Sequence, residues 1–212
     1  MAPASQRELN ERELHEYVAA VEGHESQTVG VVGYFYRMYR TEVLTRVGEL
    51  RGRDLLEIGC GEGMMFDGTP VSPVQMDVSM TRVARASGKC RLLLCADGYQ
   101  LPFAAESFAA VLLVAVLEHT REPWRVLAEA RRVLKPGGRV IMVVPNDVTM
   151  SVGRLLLRKF PIRYPDHLTF TTPGRIRAWL ADGFRIREAF HLPFRALPFA
   201  ANLYHCVVAE RA

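Results

Sequence analysis

The stretch from Asp54 to Gly63, Asp-Leu-Leu-Glu-Ile-Gly-Cys-Gly-Glu-Gly, constrains this chain more than any other. Leu55, Leu56 and Ile58 form the short apolar run of a strand buried on both faces, as in the middle of a parallel sheet. Gly59, Gly61 and Gly63 remove three side chains where the backbone must turn sharply and let something come close. A glycine loop at the carboxyl end of a first parallel strand is where open α/β folds hold nucleotide-type ligands. The spacing is G-x-G-x-G, which departs from the G-x-G-x-x-G of dinucleotide sites. Glu57 at the strand end puts a carboxylate where a pyrophosphate would lie, so the loop favours a cationic ligand.

The rest of the chain supplies the strand–helix alternation that such a loop requires. Strands are expected at 53–58, at 74–76 ending in Asp77, at 91–96 running into Asp97-Gly98, at 108–115, at 139–144, at 184–190 and at 202–209. Helices are expected at 5–23, 29–48, 80–87, 123–134, 148–160 and 174–181, with Ser79 and Thr172 as caps and Pro123 and Pro173 in first turns. Between the first two strands Gly68, Pro70 and Pro73 leave room for barely two turns, so the first crossover helix must be short. The dense aromatics of 29–48 (Tyr34, Phe35, Tyr36, Tyr39) read as core contacts against the sheet or as cover for a substrate.

Length fits one domain over 1–212. Its segments are N-terminal helices to 50, a ligand-binding core at 51–145, a lid or substrate segment at 146–172, and a C-terminal helix and hairpin at 173–212. No apolar run is long enough for a transmembrane helix. Met1–Asn10 is polar and lacks the apolar core of a signal peptide. Cys60, Cys90, Cys95 and Cys206 show no metal-ligand spacing, which suits reduced thiols and a cytoplasmic location. Net charge is +4, but residues 151–212 hold ten basic and four acidic side chains against seventeen and nineteen before them. That basic third suits an anionic substrate, a membrane surface or nucleic acid, or is a solvated surface.

Leu-Glu-Ile-Gly-Cys-Gly-Glu-Gly at 56–63 resembles the first motif of the class I S-adenosylmethionine-dependent methyltransferases. The later succession strengthens this: Asp97, Leu101-Pro102-Phe103, Ser107-Phe108, Leu117-Glu118-His119 and Ala130-Arg-Arg-Val-Leu-Lys-Pro-Gly-Gly-Arg139. Over about 53–145 it is similar to the small-molecule enzymes related to the ubiquinone and menaquinone methyltransferases. The resemblance implies a doubly wound, Rossmann-like α/β fold with a seven-stranded, mostly parallel sheet, a reversed last strand and a helical lid. It implies S-adenosylmethionine as cofactor, with Glu57, Gly59 and Gly61 at the methionine moiety. Asp77 would take the ribose, Asp97 and Gly98 the adenine, and Ala115 the sulfonium side through its backbone. Leu101, Pro102 and Phe103 would wall the base.

The acceptor is expected to be a small molecule, methylated most simply on oxygen. An oxygen nucleophile calls for a base near neutrality. His119, or His167 in Asp166-His-Leu-Thr-Phe-Thr-Thr-Pro173, supplies the imidazole, unless each only caps or ties down a loop. Tyr34, Tyr36 and Tyr164 are candidates for the acceptor pocket. No metal is expected: the ubiquinone O-methyltransferases carry a Glu where Ala115 stands, and Glu118 with His119 is a thin ligand set for a hard cation. The basic amphipathic helix at 148–160 reads as a lid or as a peripheral membrane contact. A nucleic-acid acceptor is not expected, because Leu-Glu-His stands where an Asn-Pro-Pro-Tyr base pocket would. A non-catalytic partner subunit would not need three carboxylates around one ligand.

Overall fold

The protein is seen in a computed structural model that describes residues 10–21, 30–48, 50, 52–156, 158, 160–162, 164 and 166–212. Seven strands form one sheet: β1 Leu55–Ile58, β2 Val74–Asp77, β3 Leu92–Cys95, β4 Phe108–Val114, β5 Leu134–Pro145, β6 Phe184–Leu192 and β7 Tyr204–Arg211. Their order is β3-β2-β1-β4-β5-β7-β6. The first five pair in parallel, and β7 lies antiparallel to both β5 and β6. The expected sheet with its reversed last strand is therefore present.

The described residues form six α-helices: α1 Glu11–Val21, α2 Gly30–Val47, α3 Met80–Ala86, α4 Pro123–Val133, α5 Asp147–Leu156 and α6 Pro173–Leu180. Successive strand residues point to opposite faces, and the two faces build separate cores. Leu56, Ile58, Val111 and Leu113 pack with Val126, Leu127 and Ala130 of α4 and Ile176 and Leu180 of α6. Leu55, Leu112, Ile141 and Val143 pack on the other side with Tyr39, Val43 and Val47 of α2. Each such buried side chain contributes about 1.5–3 kcal/mol relative to exposure. The expected caps form: Ser79 Oγ accepts from Arg82 N at 3.2 Å and Thr172 Oγ1 from Arg175 N at 3.2 Å.

The first crossover departs from expectation. No α-helix, short or otherwise, joins β1 to β2; residues 59–73 run through turns. Met65 and Phe66 drop into the core of the α2 face, where a crossover helix would have packed. Arg40 of α2 fixes them by donating from Nε to the Met65 carbonyl at 2.8 Å and from Nη2 to the Asp67 carbonyl at 2.6 Å. Gly63 and Gly68, both at positive φ, and Pro70 prevent continuous helix here.

Boundaries shift elsewhere for local reasons. Residues 52–54 form a 3-10 turn, so β1 starts at Leu55. β5 starts at Leu134 because Phe108 pairs with it across a register irregularity, with Gly137 at φ +70°. The helix expected at 5–23 is seen over 11–21, and its residues 5–9, 22 and 23 lie outside the described ones, as do the polar break at 24–28 and the first nine residues of the Met1–Asn10 segment. The helix expected at 148–160 ends at Leu156; Leu157 and Lys159 lie outside the described residues. Among the described residues no helix is long and apolar enough to cross a membrane.

Candidate active site

A cleft of about 710 Å³ opens at the carboxyl ends of β1 to β4. It straddles β1 and β4, where the strand order reverses direction, the position at which open α/β sheets bind ligands. Ile58 and Gly59 form one wall, Met76 to Val78 a second, Ala96 to Tyr99 a third, and Ala115, Val116, His119 and Thr120 a fourth, with Val126 of α4 beside them. Glu11, Arg12 and His15 of α1 close the top, facing Arg82 of α3.

The glycine loop is built for close approach. Gly59, Gly61 and Gly63 have φ of +71°, +55° and +75°, where a Cβ is strained. A Cβ on Gly59 would also stand 2.5 Å from Val116 Cγ2. Asp77 fixes the loop: Gly61 N donates to Oδ2 at 2.9 Å and Ser79 N to Oδ1 at 2.9 Å. Asp77 is only 4% exposed yet lines the cleft. Asp97 is exposed at the rim, with Tyr99 N donating to Oδ1 at 2.8 Å. Gly98 and Ala115 also line the cleft, and Ala115 carries φ +53°, held by its N–H donating to the Val143 carbonyl at 2.8 Å.

Glu57 lies elsewhere. It is buried behind the loop, off the cleft walls, and takes a 2.7 Å hydrogen bond from Gln75 Nε2. Burial pushes its carboxyl pKa up to about 8, against the opposing pull of the Gln75 amide. The carboxylates that do line the cleft are Asp77 and Asp97. Gly61 likewise supports the loop from beneath and does not line the cleft. Leu101, Pro102 and Phe103 are not on its walls either: Leu101 belongs to the α4 core and Phe103 packs edge-on to Phe108 at 5.0 Å. Ile58, Met76, Tyr99 and Val126 take that apolar role.

The two expected imidazoles are brought together. The His119 and His167 rings meet edge to face at 4.9 Å, but only His119 lines the cleft. His119 Nδ1 meets the Asp166 carbonyl at 3.1 Å and the Asp166 carboxylate at 3.2 Å. Burial disfavours its charge, but the Asp166 hydrogen bond and the Glu118 charge prevail and raise its pKa. Asp166 is held well below the usual carboxylate range: the His119 bond and charge outweigh its burial. His167 sits behind, its Nδ1 against Asp147 Oδ1 and its ring stacked on Tyr164 at 5.0 Å. Thr169 laces this segment down, donating from N to the Glu118 carbonyl at 2.9 Å and from Oγ1 to the Thr120 carbonyl at 2.5 Å.

Glu118, His119 and His167 each place one potential ligand atom within 4.8 Å of the others, a cluster able to hold a metal ion. The sequence reading counted two ligands there; His167 is the third. Glu118 is 1% exposed, its Oε2 has no hydrogen-bond partner among the described residues, and burial raises its pKa. One carboxylate with two imidazoles suits a transition metal better than magnesium.

α5 does not line the cleft; it packs by the Phe199–Ala201 turn. α1 is the roof, clasped at both ends. Glu16 caps α3, accepting from Ser79 Oγ at 3.0 Å and from Met80 N and Thr81 N. Glu11 Oε1 accepts from Tyr99 Oη at 3.0 Å. Arg85 Nη1 donates to the Ala19 carbonyl at 2.8 Å. Tyr34, Tyr36 and Tyr164 do not line the cleft: Tyr34 is 59% exposed and Tyr36 packs on the α2 core. Sequence reasoning missed His15, Arg12, Glu11, Arg82 and Asp166. A signal existed for His15, since it falls within the buried stripe Leu14, His15, Val18, Ala19 of α1.

Residues 56–142 match the family described as a methyltransferase domain. The chain is 33% identical over 136 residues to the 27-O-demethylrifamycin SV methyltransferase of Amycolatopsis mediterranei, covering 56% of this chain and 50% of that one. It is 25% identical over 224 residues to the demethylmenaquinone methyltransferase of Lactococcus lactis, covering 94% and 87%. It spans about half the length of several other curated relatives. Magnesium protoporphyrin IX methyltransferase from Synechocystis, solved with bound S-adenosylhomocysteine, shares the fold at a TM-score of 0.70 and 18% identity, covering 96% and 100%. The motif succession, the reversed strand and the switch-point cleft agree with these likenesses: residues 56–142 match a methyltransferase domain, and the chain is similar to the demethylmenaquinone methyltransferases.

Proposed function

We propose that this protein is a cytoplasmic enzyme that transfers a methyl group from S-adenosylmethionine to an oxygen of a small metabolite. The observation that carries the reading is one cleft in which a side-chain-free loop at Gly59 faces Asp77 and Asp97. A phosphate would be repelled by those carboxylates, whereas a nucleoside carrying a sulfonium and an ammonium group is attracted. Asp77 has lone pairs left for the ribose hydroxyls, Asp97 for the adenine amine, and Gly98 leaves room for the base. The Ala115 backbone would border the sulfonium.

The bound cofactor supplies an electrophilic methyl carbon. The protein's task is to hold the acceptor oxygen in line with it and to exclude water. His119 faces the cleft with Nδ1 engaged by Asp166, which fixes the ring and leaves Nε2 to meet an acceptor oxygen and take its proton. His167 steadies that ring from behind. The 27-O in the name of the Amycolatopsis relative supports oxygen as the acceptor atom. Nitrogen and carbon acceptors rank below it.

Calorimetry with S-adenosylhomocysteine tests the reading, with saturable one-site binding expected; absence of binding to the wild-type protein would overturn it. A thermal-shift screen against phenols, sugars, quinone precursors and lipid head groups then seeks the acceptor, since a true ligand raises the midpoint by mass action. A lipid-like acceptor is favoured by one feature. Val148, Val152, Leu155, Leu156 and Phe160 are each at least half exposed around Arg154. Salt-sensitive cosedimentation with anionic vesicles is the outcome that this second reading requires.

A further inference from the structure

We propose that Cys60 and Cys90 are a peroxide-sensing thiol pair whose disulfide weakens cofactor binding at the glycine loop, a consequence that rests on the methyltransferase reading above. Cys60 stands in the loop itself, between Gly59 on the cleft wall and Gly61, whose N–H is held by Asp77. Cys90 lies just past the end of α3, and its thiol and that of Cys60 hydrogen-bond to each other. Separate contacts fix this meeting. Gly63 N donates to the Cys60 carbonyl at 3.0 Å, and a Cβ on Gly63 would stand 2.5 Å from Cys90 Sγ. The third glycine of the loop is therefore the one that admits the Cys90 thiol. Lys89 Nζ donates to the Glu62 carbonyl at 3.1 Å and Arg85 Nη1 to Glu62 Oε1 at 3.1 Å, so the end of α3 clasps the loop around the two sulfurs. Cys60 is 7% exposed, whereas Cys90 is only partly buried and stays within reach of solvent. The other two cysteines are placed otherwise: Cys95 Sγ donates to the Val78 carbonyl at 3.5 Å, and Cys206 is buried in the α2 core.

The pair divides the work. The hydrogen bond from Cys60 favours thiolate at Cys90, the Lys89 charge adds to it against some burial, and the Cys90 pKa falls. The same bond, then burial, keep the proton on Cys60. A solvent-reachable thiolate beside a second thiol is the arrangement that peroxides oxidise reversibly. The Cys90 sulfur attacks one oxygen of hydrogen peroxide, the O–O bond breaks, and Cys90 becomes a sulfenic acid. The departing hydroxide takes up the proton that Cys90 had released, giving water. The Cys60 sulfur then attacks the sulfenic sulfur, the S–O bond breaks, and the hydroxyl leaves as a second water with the Cys60 proton. The two sulfurs have lost two electrons, and the peroxide has gained them. The S–S bond that results is about 2.05 Å long, far shorter than a hydrogen-bonded thiol contact. Cys90 N is tied back to the Ala86 carbonyl at 3.1 Å. Closing the gap therefore draws Cys60 toward α3 and carries Gly61 away from Asp77, the carboxylate that organises the cofactor side of the cleft.

The test treats the whole chain with a small excess of hydrogen peroxide. A non-reduced tryptic digest is read by mass spectrometry, and S-adenosylhomocysteine binding is read by calorimetry. The digest should hold the Cys60 peptide linked to the Cys90 peptide. Affinity of the oxidised protein for S-adenosylhomocysteine should fall roughly tenfold or more, and dithiothreitol should restore it. Cys90→Ser should bind S-adenosylhomocysteine within about twofold of reduced wild type, both before and after peroxide. Cys60→Ser should stop at the sulfenic acid, which dimedone traps at Cys90. No binding of S-adenosylhomocysteine to the reduced wild type sinks the methyltransferase reading itself, and the linked peptide then decides the thiol pair alone. An oxidised wild type without the Cys60–Cys90 link overturns the proposal, as does a linked protein with unchanged affinity. An equal loss of affinity after peroxide in Cys90→Ser would assign the effect to another oxidisable side chain of the cleft, such as Met76, and overturn it as well.

Discussion

The sharpest prediction concerns Asp77, because the structure gives it two separable tasks. Its carboxylate accepts from Gly61 N through Oδ2 and from Ser79 N through Oδ1, each at 2.9 Å, at a site 4% exposed. Hydrogen bonds to a charged group contribute about 1.5–3 kcal/mol each. Asp77→Ala removes both acceptors and leaves two backbone donors stranded, so unfolding stability should drop by roughly 3–6 kcal/mol. Asp77→Asn keeps one acceptor oxygen and turns an amide N–H₂ toward the other donor, so about half that loss is expected. Urea denaturation of the ligand-free protein measures this part. Cofactor affinity adds a second reading. If the same carboxylate takes the ribose hydroxyls, Asp77→Asn should weaken S-adenosylhomocysteine binding by about 1.5–3 kcal/mol beyond any loss from partial unfolding. Calorimetry at a temperature where the variant stays folded separates the two. An Asn variant within about 0.5 kcal/mol of wild type in both measurements, a margin ordinary for a surface change, would refute the view that Asp77 organises the loop and the ligand together.

Three further outcomes are expected. Gly59→Ala should cost about 1–3 kcal/mol and abolish tight cofactor binding, because its Cβ meets Val116 at 2.5 Å at φ +71°; Gly68→Ala, at φ +70° with nothing within 4 Å, should leave binding intact. The contribution of His205 to stability should be lost as pH drops from about 6.5 to about 4, because burial and positive neighbours lower it to about 4 while the unfolded chain takes up its proton first. That contribution is roughly 3 kcal/mol; because the raised carboxyl of Glu57 acts in the opposite sense over the same range, the test compares urea midpoints of wild type and His205→Gln across it, and an equal acid dependence in the two would contradict the sign. Chelator treatment should leave the thermal midpoint unchanged if Glu118, His119 and His167 work without a metal; a fall of several degrees, reversed by added zinc, would make them a structural metal site.

The sheet and the cofactor-side loop were legible because both are written in local periodicity. Leu55-Leu56-Glu57-Ile58 and the apolar run at 108–114 carry strand signals that no competing pattern disturbs. Gly59 and Asp77 follow from strand ends, which sequence locates well. The first crossover misled for the opposite reason. A connection rule demanded a helix, while Met65 and Phe66 with Arg40 found a non-helical way to fill the same space, through contacts 25 and 27 residues apart. Glu57 stands off the cleft walls because a residue at a strand end can face either side. Its partner Gln75 on the neighbouring strand drew it into the interior, where desolvation outweighs charge.

The histidine side of the cleft was hidden for a deeper reason: it is assembled from segments far apart in the chain. Asp166 and His119 are 47 residues apart, and Asp147 and His167 are 20 apart. No spacing rule connects such pairs. What decides them is how residues 166–172 fold back over the end of β4, through backbone and hydroxyl bonds from Thr169 to the 118–120 turn. α1 is the extreme case. Its polarity suggested a surface helix, and its outer face is one. Glu16 nevertheless reaches 63–65 residues forward to cap α3, and that contact aims His15 into the cleft. The amphipathic pattern contained the clue, because a histidine within the buried stripe must be satisfied by something. Here no described protein group does so, which is why the cleft itself, and whatever it binds, is the partner this residue implies.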